Sequence, residues 1–419
     1  GPDQVLILVN GKRRHQQALV NVQQTIARGS AGTDINAIPV SAIERIEVLR
    51  DGAAAQYGSD AIAGVINVVL KKQVGETRVN LEAGQTREGD GEVLSAGINH
   101  GFALGDDGFL NLTAEYRDRG ETNRAGPDTL RVPHPRVTQH IGDADAKDAY
   151  LWLNGGVGLG AGELYWFGGY SRREGSSYGF FRSAGDGRTV PDLYPNGFLP
   201  NIVTTVEDAS LAVGYRAPIN DTWDWDLSLN HGRNRFGFHE SHSVNVSWWY
   251  EPNGTGIYGT SPTSADTGTL KYDQTVLNLD VRGSVDIGNS EPLSLAFGGE
   301  YRQENYAIEA GDPVSYTYGR TNNPAIPIFN QNGGFAAPGI QGFPGFSPNE
   351  EAGTERGRPI VRRTAADSSP EGFGTAARTP CATGDAVPKS VNSAITSSNR
   401  CNVPNCSGLT AGSSGRLIG

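Results

Sequence analysis

The chain has 419 residues, a formal net charge of −11 and a mean hydropathy of −0.41. An acidic balance with no basic stripe among aromatics argues against nucleic acid as a partner, and the longest apolar run, Val65 to Leu70, is far too short for a transmembrane helix. Cys381, Cys401 and Cys406 all lie near the C-terminus, so residues 1–380 offer no disulfide framework and no thiolate metal site. Methionine is absent, as expected of a sequence that starts inside a longer gene product, where no leader would be visible.

Residues 1–73 read as an α+β module. The apolar run in QVLILVNGKRR predicts a buried strand that ends at the Asn10-Gly11 turn. VSAIERIEVLRDG predicts a short helix capped by Ser41, with Glu44 three residues on, leading into a strand over IEVLR. AIAGVINVVLKK predicts a second apolar strand, closed by Lys71 and Lys72.

From about 77 to 313 the texture is antiparallel strand of roughly nine segments with period-two alternation. Leu110, Leu112, Ala114 and Tyr116 oppose Asn111, Thr113, Glu115 and Arg117, and Trp223, Trp225, Leu227 and Leu229 oppose Asp224, Asp226, Ser228 and Asn230. Leu277, Leu279 and Val281 oppose Asn278, Asp280 and Arg282, and Leu293, Leu295, Phe297 and Tyr301 oppose Ser294, Ala296, Glu300 and Arg302. A soluble β-sandwich alternates in the same way. The connections favour a transmembrane barrel: short turns at 104–108, 159–163, 218–222 and 286–291 take turns with long Gly/Pro/Asn-rich loops near 118–147, 172–200 and 240–270. Tyr116, Trp166, Tyr170, Trp223 and Tyr301 lie where an interfacial aromatic girdle is expected. Residues 314–350 read as a further outer loop.

From about Glu351 to Gly419 the alternation stops and Tyr, Trp and His disappear. Eight Lys/Arg against five Asp/Glu make this region +3 and leave −14 on residues 1–350. It reads as an irregular tail, either disordered or translated out of frame.

The ordered run IPVSAIERIEVLRDGAAAQYGSDAIAGVINVVLKK (38–72), with VLILVNGKRR before it, resembles the C-terminal half of the plug of TonB-dependent outer-membrane receptors. The motif positions are Arg50, Asp51, Gly52, Tyr57, Gly58, Asp60, Gly64 and Asn67. The resemblance implies a globular plug inside the lumen of a 22-stranded barrel in the outer membrane of a Gram-negative bacterium; against that count the roughly nine strands here are an incomplete barrel, expected not to insert stably with open edges in lipid. It implies TonB as partner, through an N-terminal box upstream of this chain, and contact with outer-membrane lipid and lipopolysaccharide. It further implies uptake of a scarce small molecule or oligosaccharide (a ferric siderophore, a cobalamin-like ligand or a glycan), without catalysis and without a cofactor. Arg50 and Asp51 are expected to anchor the plug by polar pairing. The polar lumen positions Asn111, Glu115, Arg117, Asp224, Asp226, Asp280, Arg282, Glu300 and Arg302 are expected to give it a hydrated, yielding seat.

Lys12, Arg13, Arg14, His15 and Gln16 are candidate contacts for an anionic ligand if the loop after the first strand stands at the plug's apex; a solvated charged loop is the alternative. Tyr178, Phe180, Phe181, Trp248, Trp249 and Tyr250 are candidate stacking residues in the outer loops, or pack on one another. GVGLGA (156–161) fits a dinucleotide fingerprint only in spelling, because a strand follows it. His239 and His242 stand three apart at a strand end, which is not a zinc-helix spacing. A passive porin or adhesin is the rival reading, and an outer-membrane barrel enzyme lacks a visible catalytic constellation.

Overall fold

The computed structural model describes residues 2–21, 28–50, 60–288 and 292–350, together with the backbone of 352–366. Asp51, Gly52, Tyr57 and Gly58 lie outside the described residues, as does the chain beyond 366.

The first module is a mixed four-stranded sheet of β1 (Val5–Val9), β2 (Lys12–Arg13), β3 (Ile43–Arg50) and β4 (Gly64–Leu70), in the order β2-β1-β4-β3. β1 runs parallel to β4, and both neighbours on the outside are antiparallel. Leu6, Leu8, Ala61 and Val65 form its small internal core. The short helix expected ahead of the IEVLR strand is only a 3-10 turn, Val40–Ala42; Glu44 is already in β3, which includes the expected strand. Ile43, Ile46 and Val48 favour the extended chain, and β4 offers a ladder that outweighs the sequence signal of a cap. A second 3-10 turn, Ile35–Ala37, is capped by Asp34, whose carboxylate accepts from the Asn36 N–H at 3.0 Å.

The remainder is one antiparallel meander in sequence order. It comprises β5 (Thr77–Gly84), β6 (Val93–Leu104), β7 (Gly108–Arg119), β8 (Asp145–Leu159) and β9 (Gly162–Tyr178). It continues through β10 (Asn201–Asn220), β11 (Trp223–Ser241), β12 (Ala265–Val285), β13 (Leu293–Glu309) and β14 (Ala352–Ala366). Among the described residues β5 and β14 are unpaired edges, so the sheet is an open part of a barrel. Expecting strands to stop at Glu351 was an error of extent: the backbone of 352–366 pairs along all of β13. A ladder is built from main-chain groups, and an unpaired edge recruits a chain whose side chains carry no alternation. GVGLGA closes the β8–β9 hairpin, whose register runs to Leu159↔Gly162.

The inside-out pattern decides between barrel and sandwich. Leu112, Leu227, Leu229, Leu277 and Leu279 are 42–52% exposed on the outer face, while Asn111, Glu115, Asp226, Ser228, Asn278 and Glu300 are buried within. A sandwich buries the apolar face; a barrel in lipid displays it. Tyr116, Tyr170 and Tyr301 stand exposed on that outer face, and Trp223 stacks on Phe297 with ring centroids 6.1 Å apart. Among the described residues no helix is long and apolar enough to cross a membrane. Two short helices, α1 (Val246–Tyr250) and α2 (Pro313–Tyr316), fold in the outer loops.

Candidate functional site

The site is the contact between the four-stranded module and the inner wall of the sheet, and it has two unlike parts. The first is a strap, residues 12–19, that leaves the Asn10-Gly11 turn and climbs the wall. Asn10 adopts a positive φ of 48°, which its short side chain tolerates, and its amide bridges Leu70 N–H at 2.9 Å and Asn154 at 3.1 Å. The turn therefore sits at the short-turn end of the barrel, beside the exit to β5.

From there the strap meets successive inward positions of β11. Lys12 Nζ donates to Asp226 at 2.9 Å and lies 3.4 Å from Asp280 on β12. His15 packs over Gly232, where any Cβ would stand 2.0 Å from the imidazole Nδ1. The Ala18 N–H donates to Asn234 Oδ1 at 2.8 Å, and Tyr306 of β13 donates to the Ala18 carbonyl at 3.2 Å. On β10, Asp208 binds both the Arg14 guanidinium and His15 Nε2, the latter at 3.0 Å, and accepts from Asn234 Nδ2 at 2.9 Å. Arg14 also lies 5.3 Å over the Trp152 ring, so its flat cation is held between a carboxylate and a π face. Arg13 pairs with Asp60 at 2.6 Å, and Asp60 in turn pairs with Arg302 of β13 at 2.8 Å.

Burial pushes the His15 imidazole below its ordinary value. Asp208 opposes that shift, while Arg14 and His231 add to it.

These contacts correct the first reading of the basic run. Lys12, Arg14 and His15 are buried, and the Arg13 side chain is only 7% exposed; Gln16 is half-buried. The four charged side chains are docked against wall carboxylates or Asp60, not displayed at an apex. A basic stretch followed by no acidic partner in local sequence looks solvated, but Lys12, Arg14 and His15 find theirs on strands about 200 residues away.

The second part is an aromatic seat. Val9, Ile38, Ala42, Val68 and Leu70 pack on Tyr150, Trp152, Tyr165, Phe167 and Ala212 of β8–β10. The Tyr150 hydroxyl donates to the Asn36 carbonyl at 3.0 Å, and Arg173 reaches Asp34 at 3.3 Å while holding Asp148 at 2.5 Å. The expectation of a wholly polar interface is thus corrected. Asn111, Glu115, Asp226, Asp280, Glu300 and Arg302 do face the module: Asn111 donates to Gln73 O and Glu115 accepts from the Ser41 N–H, both at 2.8 Å. Arg117 instead pairs with Asp148, and Asp224 and Arg282 face each other at 3.7 Å with both side chains about 60% exposed.

Of the motif positions, Asp60 carries the pairing expected of Arg50, whose side chain is exposed at the end of β3. Gly64 is required by close approach: it has φ 144° and a Cβ there would stand 2.6 Å from the Leu49 carbonyl oxygen. Asn67 receives the Gly11 N–H at 2.9 Å and donates to Glu47 at 2.8 Å, tying the turn to β3.

At the outer end most candidate aromatics pack among themselves. Phe181 is buried, flanked by the guanidinium groups of Arg131 and Arg136 at 5.8 and 5.5 Å. Trp249 and Tyr250 join Val190, Val244, Val246 and Ile328 in a core shared by three loops. Tyr178 lies 4.7 Å from His140. Phe180 is 76% exposed. Trp248 donates from Nε1 to Thr317 at 2.7 Å and, with Tyr258, flanks Arg320 at 4.7 and 4.6 Å.

Asp208, Asn234 and the inward aromatics were not singled out by sequence reading. The signal for the seat was present in AYLWLN, apolar at every position from Ala149 to Leu153 where a lumen-lining strand should alternate. Such a strand is covered on both faces.

A lumen-filling module docked on a wall that is polar within and apolar without defines a plugged outer-membrane barrel. Residues 1–65 match the family described as TonB-dependent Receptor Plug Domain, and the strands that follow form the antiparallel wall on which that domain is docked. The ferric enterobactin receptor of Pseudomonas aeruginosa is 39% identical over 133 residues, which are 30% of this chain and 17% of that protein. A probable TonB-dependent siderophore receptor of Acinetobacter baumannii, PirA, is 45% identical over 135 residues, 32% of this chain and 17% of its own length. The fold is that of a crystal structure of the P. aeruginosa ferric enterobactin receptor, with TM-score 0.55 and 20% identity over 76% of this chain and 43% of that one. The aligned part is therefore under half the length of each of these proteins.

Proposed function

We propose that the chain is part of an outer-membrane receptor for TonB-energised uptake of a scarce ligand, of the ferric siderophore class. The observation that carries this reading is the plug itself, tied to at least four wall strands by Lys12, Arg14, His15 and Asp60. A barrel built for passive diffusion has no use for a module that fills its lumen. The names of the relatives support the ligand class, as do outer-loop arginines beside aromatic rings, Arg131 and Arg136 at Phe181 and Arg320 at Trp248 and Tyr258, which suit an anionic ligand with planar groups. Phe180, Trp248 and Tyr258 are the outer aromatics best placed for stacking. An outer-membrane site in a Gram-negative bacterium, contact with lipopolysaccharide, and TonB binding through a box upstream of residue 1 belong to the same reading.

The test is accumulation of iron-55 ferric enterobactin and of labelled cyanocobalamin in receptor-deficient cells given the complete gene, with and without TonB. TonB-dependent accumulation of the iron complex is expected. Accumulation independent of TonB, together with free entry of small sugars, would establish the porin reading instead.

A further inference from the structure

The loop between β13 and β14 does not stand away from the barrel. Its segment Gly342-Phe343-Pro344-Gly345-Phe346 turns down into the lumen mouth and is fixed there by a fully buried carboxylate. Glu240, at the outer end of β11, accepts from the N–H groups of Gly342, at 2.6 Å, and Phe343. A Cβ on Gly342 would lie 2.7 Å from the Glu240 carboxyl carbon, and one on Gly345 would meet the Ser315 hydroxyl. Both glycines are thus required by the close approach rather than by loop freedom. The Phe346 N–H donates to Thr267 O at 2.9 Å, and Gly311 N–H donates to Phe346 O at 3.0 Å.

This segment packs on the wall beside the top of the plug strap and shares an apolar cluster with it. Phe343 stacks on Phe238 at 4.5 Å, Phe238 lies 4.9 Å from Phe236, and Phe346 meets Phe343 edge-on at 5.9 Å. Phe236, Phe238 and Phe346 belong to one apolar cluster with Ala18 and Leu19 of the strap. Ala18 is also the residue whose N–H and C=O are held by Asn234 and Tyr306.

We infer that this loop tip and the plug strap form one latch: the Phe343/Phe346 tip, seated by Glu240, clamps Ala18 and Leu19 against the wall, so that lifting the tip frees the strap. The physical basis is a shared cluster with a single packed arrangement. Removing either side leaves the other with an open cavity, and coupling of this kind is reciprocal. The latch belongs to the packing and does not depend on which ligand is carried. Glu240 acts as a positioning residue for it, since it contacts the tip and not the strap.

The experiment is amide hydrogen exchange on the complete receptor in detergent, comparing wild type with Phe346→Ala and Glu240→Gln, and with Phe329→Ala as a control elsewhere in the same loop. Phe346→Ala and Glu240→Gln should speed exchange at residues 14–19 at least ten-fold while β5–β8 stay unchanged; Phe329→Ala should leave 14–19 as in wild type. The reciprocal variant Asn234→Ala, made on the wall, should speed exchange at 342–346. Faster exchange confined to 310–350 in the loop variants, or no response of 342–346 to Asn234→Ala, overturns the latch. Should Glu240→Gln disturb β5–β8, Phe346→Leu decides by the same two readings.

Discussion

The strap and the aromatic seat hold the same plug by different physics. At the seat, Ile38, Ala42 and Leu70 lie on four aromatic rings, a contact whose strength scales with buried apolar area and whose position tolerates small shifts. At the strap, Lys12, Arg14 and His15 each meet a specific carboxylate in buried surroundings, so geometry is exacting and the loss of one partner strands another. The seat resists separation in proportion to area; the strap resists until one bond is lost and then fails along its length.

This contrast can be broken most sharply at Asp208. Asp208→Ala leaves Arg14 and His15 buried without their carboxylate and should cost up to about 5 kcal/mol of docking stability, read as lost amide protection at 14–18 with Ile38–Ala42 still protected. Equal loss at both places would show a single undivided interface. Tyr150→Ala removes one ring of the seat and its bond to the Asn36 carbonyl and should cost about 3–4 kcal/mol, now with protection lost first at 38–42. Gly64→Ala places a Cβ against the Leu49 carbonyl at a positive φ and should cost about 1–3 kcal/mol. Its readout is separation of β3 from β4 while both wall contacts persist.

The smallest effect is that of pH. The folded-state pKa of His15 lies below its unfolded value of 6.5, so the unfolded chain binds more protons as pH falls through that value. Strap stability is then full above about pH 6.5 and declines below it, whereas the seat should not respond. Titrating strap exchange between pH 8 and 5 in wild type and His15→Gln checks this, and a seat that weakens in step with the strap would contradict it.

Much of the architecture was legible in the chain. Leu277 and Leu279 against Asn278 and Asp280 specify an outer and an inner face, and the alternation of short and long connections gives the meander and its two ends. The plug was legible from its ordered motif, and Gly64 from its place in it. The one-turn length of the expected helix was not, because β4 had to be present before Ile43–Arg50 could pair. Nor was the role of Lys12–His15: Asp208, Asp226 and Asp280 lie about 190 to 270 residues away, and no local pattern shows that a charge is paired at that range.

The sequence by itself determined which residues face lipid and which face the lumen, because side-chain alternation is a property of a strand that needs no partner to be read. The resemblance of its ordered motif to receptor plugs implied in addition that this module fills the lumen. Tertiary structure alone decided what the plug's charges do. Whether a buried cation is a ligand contact or a structural tie depends on which carboxylates closure of the wall brings within 3 Å of it, and that is set by strand register across the whole sheet.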